Sequence, residues 1–293
     1  MIPEIATNLR AELGEGPSWD AEKEILYWVD ITRGVIYAHT PNDPNDEVIA
    51  WADNVSCVVP RKSGGLALTL QYGYYGLDLE TKELTPLTEQ VERESDGNRF
   101  NDGKCDPAGR FWAGTMDGHE RSPSGSLYVL EKNQKLKKVL PNVTISNGLG
   151  WSPDNRVMYY IDTPTMKVSA FDYSVETGAI ENRRTAVDFA QNNQPGSPDG
   201  MAVDEEGMIW VAHWGGARLT RWNPSTGKLL ETLQVPADQV TSCCFGGKNL
   251  DELYITSATN GLDPQVLAAK PMSGGLFVAK VDVKGLPTNE FTG

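Results

Sequence analysis

Apolar and aromatic residues along this chain come in short runs rather than in long stripes. Tyr27-Trp28-Val29, Leu66-Ala67-Leu68 and Tyr159-Tyr160-Ile161 are typical, with Asp, Asn or Gly close by on either side. β-Branched and aromatic runs punctuated by such residues predict strands joined by tight turns. No segment sustains an apolar face at helical spacing, which argues against parallel α/β folds.

The runs repeat. Glu15-Gly16-Pro17-Ser18-Trp19 and the later Tyr27-Trp28-Val29-Asp30 align without a gap on Asn147-Gly148-Leu149-Gly150-Trp151 and Tyr159-Tyr160-Ile161-Asp162. Asn101-Asp102-Gly103, Asp106 and Gly109-Arg110-Phe111-Trp112 match Asp199-Gly200-Met201, Asp204 and Gly207-Met208-Ile209-Trp210 in the same way. Two fainter copies surround Leu68 and Tyr254. The landmarks Trp28, Leu68, Trp112, Tyr160, Trp210 and Tyr254 recur about every 40 to 50 residues, the period of propeller blades. A blade buries both faces of its sheet only against neighbours in a ring. The expectation is an all-β, six-bladed β-propeller forming one domain over residues 1–293; a two-sheet sandwich with chance similarity is the alternative.

The same alignment gives an address for function. Glu15, Asn101, Asn147, Asp199 and Thr241 fall in one register of five copies, ahead of the apolar part of each first strand. If that strand lines the axis, their side chains converge at one mouth of the channel. Carboxylates gathered there repel one another unless a cation joins them. Oxygen donors of this kind suit a hard divalent ion: Ca²⁺ foremost, with Mg²⁺ or Mn²⁺ next and Zn²⁺ less suited without a histidine or cysteine cluster. The opposing expectation is that each polar group bonds to the next blade and seals the ring. Gly16, Gly148 and Gly200 suit a backbone that turns tightly or closely approaches an ion or ligand.

Composition narrows the partners. With 40 acidic against 26 basic residues the net charge is −14, which disfavours nucleic acid and anionic membrane surfaces. The start, Met1-Ile2-Pro3-Glu4-Ile5, shows no basic region leading into an apolar run, so a cytoplasmic protein is expected. Cys57, Cys105, Cys243 and Cys244 lack metal or redox spacing and are read as buried structural residues. His39, His119 and His213 are isolated in sequence. Nothing in the pattern fixes the oligomeric state.

Gly14-Glu15-Gly16-Pro17, Arg99-Phe100-Asn101-Asp102-Gly103-Lys104, Ser146-Asn147-Gly148, Pro198-Asp199-Gly200 and Thr241 through Asn249 resemble, in order and spacing, the senescence marker protein/gluconolactonase/regucalcin family. That resemblance independently implies a six-bladed propeller. It implies one divalent metal ion on Glu15, Asn147 and Asp199, with Asp199 also the general base for hydrolysis of a small sugar lactone. Arg99 and Asn101 then bind the substrate. A further acidic contact falls on His119 by direct count and on Glu120 after a one-residue shift; Glu120 is carried forward as substrate-binding. A phosphotriester or another lactone on the same site, or a calcium-binding propeller without turnover, are the alternatives.

Overall fold

The computed structural model describes residues 2–91 and 97–293. Its strands form six four-stranded antiparallel sheets, the blades of a six-bladed propeller. Blade one comprises Gly14–Asp20, Ile25–Asp30, Val35–His39 and Glu47–Trp51. In blades two to five the innermost strands are Cys57–Pro60, Arg99–Cys105, Ser146–Trp151 and Ser197–Val203. Blade six joins Gln239–Gly246, Glu252–Ala258 and Phe277–Lys280 to Glu4–Ile5 from the other end of the chain. The pairs Glu4 with Val278 and Ile5 with Phe277 thus tie the first described residues to the last blade. Each innermost strand packs on that of the next blade, from one through six and back to one.

All six landmark residues lie on the second strand of their blade and are buried. They fill the apolar clusters that weld neighbouring sheets, for example Trp210 with Phe245 and Trp112 with Trp151 across two blade junctions. Buried aspartates reinforce them. Asp106 accepts hydrogen bonds from Trp112 Nε1 at 2.9 Å, Tyr173 Oη at 2.8 Å and Arg110 at 3.1 Å. Its repeat partner Asp204 accepts from Trp210 Nε1 at 3.0 Å and Arg221 at 2.8 Å.

Residues 285–292 cross the ring at the far ends of the innermost strands. Gly285 bonds to Leu250 in blade six, while Phe291 and Thr292 bond to Pro60 and Gly109 near blades two and three. Phe291 is fully buried beside Phe111. Together with the inner strands, Leu286–Asn289 enclose a cavity of about 350 Å³ in the channel.

Asp106→Ala would strand Arg110, Trp112 and Tyr173 without their shared acceptor, so we expect a loss of about 3–5 kcal/mol in denaturant unfolding. A loss no larger than that of a surface substitution would contradict this role.

Candidate functional site

The innermost strands of blades one, three, four, five and six each carry a β-bulge near their start. Pairing shifts register between Glu15 and Ser18, Phe100 and Gly103, Ser146 and Leu149, Pro198 and Met201, and Val240 and Ser242. A bulge leaves residues unpaired and re-aims their side chains. Asn101, Asn147, Asp199 and Thr241 sit inside these bulges and Glu15 borders its own, so the register read from sequence is a structural one. Blade two pairs regularly from Cys57 to Pro60 and contributes no equivalent residue.

Thr241 is not aimed at a ligand. Its hydroxyl donates to Gly14 O at 2.6 Å and meets Thr256 Oγ1, sealing blade six to blade one. The glycines also serve the ring. A Cβ on Gly200 would lie 2.5 Å from Ser242 Cβ, and one on Gly148 would lie 2.8 Å from Asp199 O. Gly148 and Gly200 thus permit close approach of the next blade, and Gly16 turns the chain with φ +54°.

Arg99, Asn101 and Asn147 form one hydrogen-bonded row. Arg99 donates to Asn101 Oδ1 at 2.8 Å, and Asn101 Nδ2 donates to Asn147 Oδ1 and to Ser146 O, both at 2.9 Å. Asn147 Nδ2 donates to Thr163 Oγ1 at 2.8 Å. Beside this row lie three buried carboxylates, Glu15, Asp102 and Asp199. Glu15 and Asp102 each accept a hydrogen bond from the amide of the glycine that follows, Gly16 at 2.9 Å and Gly103 at 2.7 Å. No ion pair within 4.0 Å is formed by any of the three among the described residues.

The electrostatics follow from that crowding. Burial, then the charge of Asp102, pushes the Glu15 carboxyl up to about 8, against the Gly16 amide, Arg99 and Lys104. Burial, then Glu15 and Asp102, raises Asp199 well above the ordinary carboxylate range. Burial likewise raises Asp102, opposed by Lys104 and the Gly103 amide. Glu120 is exposed on the rim loop, and its charge bears on both Arg99 and Asp199. The His119 ring bears on Asp117 instead. Asp117 in turn holds the loop by accepting from the Arg121 and Ser122 amides, each at 2.8 Å.

Other reactive types stand apart. Burial pushes the Cys57 and Cys243 thiols up to about 12 and Cys105 and Cys244 higher, so none is a thiolate nucleophile. Cys243 and Cys244 join different apolar clusters, as adjacent strand residues must. His213 bonds to Pro195 O and Thr220 Oγ1, and burial lowers it to about 4, leaving a neutral structural imidazole.

An oxygen donor set of two carboxylates and one amide fits a hard divalent cation, and the uncompensated buried charge is what such an ion would relieve. Among the described residues no three His, Cys, Asp or Glu side chains are arranged around one point, so Asn147 is needed as the third donor. Sequence reasoning missed Asp102, Lys104 and Thr163. Asp102 was visible only as a second acidic position next to Asn101, and Thr163 lies outside the aligned register. Lys104 Nζ is tied to Met201 O at 2.7 Å.

Residues 13–259 match the family model described as the SMP-30/gluconolactonase/LRE-like region. The chain belongs to this family. It is 42% identical to rabbit (Oryctolagus cuniculus) regucalcin over 287 residues, 96% of this chain and 95% of that one. Among solved structures it resembles the calcium-binding protein regucalcin of Agrobacterium tumefaciens at 26% identity, with a TM-score of 0.92 and coverage of 99% and 97%. A luciferin-regenerating enzyme is 34% identical with a TM-score of 0.90 and coverage of 98% and 99%. The fold and family expected from the repeats and motifs are therefore those found. No described helix is long and apolar enough to cross a membrane.

A folded Glu15 that holds its proton more tightly than an unfolded glutamate favours folding at low pH. That advantage is lost as pH rises from about 4.5 towards 8. In chelator, Glu15→Gln should therefore gain stability over wild type with rising pH, by up to about 5 kcal/mol across the window. Unfolding curves at several pH values measure this, and a pH-independent difference would contradict it.

Proposed function

We propose that this protein hydrolyses small sugar lactones with the help of one divalent cation, Ca²⁺ foremost, at the channel mouth. The observation that carries the reading is the set of buried, unpaired carboxylates facing a row of oriented amides from adjacent blades. Membership of a family named for gluconolactonase supports the reaction class. The calcium-binding regucalcin of Agrobacterium tumefaciens, which shares the fold, supports the choice of ion.

In this reading Glu15, Asn147 and Asp199 hold the cation. A bound cation would polarise the lactone carbonyl and stabilise the oxyanion that develops as water adds. Asp199 takes the proton from the attacking water. An ordinary aspartate is a weak base and a bound cation would weaken it further, so its value lies in position and in the activation of water that the cation would supply. The acyl C–O bond then breaks, and the ring oxygen leaves as a hydroxyl, giving a hydroxy acid. Arg99 and Asn101 orient the sugar hydroxyls, with Glu120 closing over them from the rim. The row Arg99–Asn101–Asn147 keeps these donors from turning towards the carboxylates.

Aldonolactone hydrolysis followed by a pH indicator should show turnover that chelator abolishes and added Ca²⁺, Mg²⁺ or Mn²⁺ restores. No chelator-sensitive turnover on any aldonolactone would defeat the proposal, and cation binding without turnover would leave a calcium-binding propeller in its place. Asp199→Asn should lose at least about 10²-fold in kcat with the propeller intact by circular dichroism. Undiminished activity would remove Asp199 as base.

A further inference from the structure

We propose that Thr163 is a positioning residue that fixes which end of the Asn147 amide faces the channel centre. The proposal deepens the metal-site reading above and rests on it.

Only one distribution of protons fits the row of hydrogen bonds that ends at Thr163. An arginine can only donate and a main-chain carbonyl can only accept. The row begins at Arg99 and runs through Asn101, Asn147 and Thr163, whose hydroxyl donates to Pro198 O at 2.8 Å. From the Arg99 end, Asn101 Oδ1 must accept, so its Nδ2 donates and Asn147 Oδ1 accepts. From the Pro198 end, the one hydroxyl proton of Thr163 is committed, so Thr163 Oγ1 accepts and Asn147 Nδ2 donates. Amide orientation is ordinarily an assignment. Here both ends of the row demand the same one. Asn147 Oδ1 is left with a second lone pair for a cation, and Nδ2 is held away from it.

The repeat supplies an internal comparison. Asp162 accepts from the Thr144 and Ile145 amides, as Asp30 does from those of Glu12 and Leu13. Thr163 N bonds to Ile145 O at 3.1 Å, as Ile31 N bonds to Leu13 O at 3.0 Å. Thr163 and Ile31 are thus equivalent positions on the same scaffold. Blade one presents Glu15, whose two ends are alike, and has a buried isoleucine behind it. Blade four presents an amide, whose two ends differ, and has a hydroxyl. Packing alone is satisfied by isoleucine, so the hydroxyl answers to the amide. Thr163 also reaches from blade four to the carbonyl that precedes Asp199, coupling two of the three proposed ligands.

Thr163→Val keeps the shape and removes the acceptor, leaving a buried Asn147 NH₂ free to rotate towards any other partner. Thr163→Ser keeps the hydroxyl. Titration calorimetry of chelator-treated protein with Ca²⁺ should show affinity falling about 10- to 100-fold in Thr163→Val and returning close to wild type in Thr163→Ser. Lactone turnover lost by the valine variant at limiting Ca²⁺ should return at saturating Ca²⁺. If wild type binds Ca²⁺ and Thr163→Val binds it equally well, the positioning role is overturned even if the variant melts lower. If wild type binds no divalent cation, the functional reading falls and this assignment with it.

Discussion

Three carboxylates, Glu15, Asp102 and Asp199, are buried near enough for their charges to interact, without a cation within ion-pair reach among the described residues. Water is a better solvent for them than this site, and in return Glu15 and Asp102 gain only the amide of the glycine that follows. The surrounding ring must be rigid enough to hold the three in place. Its closure by Glu4–Ile5, its welded aromatic junctions and the buried aspartates Asp106 and Asp204 supply that rigidity. The β-bulges turn it to use, because an unpaired residue on an inner strand is free to face the axis.

The site is polarised from one side to the other. Arg99 is the donor end of a row whose every proton is determined, and the carboxylates lie alongside it. In the proposed function a sugar lactone would meet the Arg99 guanidinium as donor on one side and the carboxylates on the other. Preorganisation of this kind costs nothing further at the moment of reaction.

Much of this was legible in the sequence, for a physical reason. Blade packing favours a large apolar residue, aromatic in five of six copies, at the same place, so Trp28 and Tyr160 report the architecture, and their first strands carry Glu15 and Asn147 in register. Thr241 shared that register but serves the seam, a distinction only its bond to Gly14 O reveals. Blade two was faint because its inner strand is short and lacks the bulge. Asp102 and Thr163 escaped notice because their roles arise between blades. A row of hydrogen bonds spanning three blades leaves no periodic trace. Likewise, the path of Phe291 across the ring depends on contacts with residues distant in sequence.

If buried, mutually repelling carboxylates are the organising feature, cation binding must displace the protons they hold. Calorimetric titration of the metal-free protein with Ca²⁺ in buffers of different ionisation enthalpy counts those protons directly. Release of roughly one proton or more per ion is expected near neutral pH, diminishing as the pH is raised. Binding of Ca²⁺ with no proton release at neutral pH would contradict it.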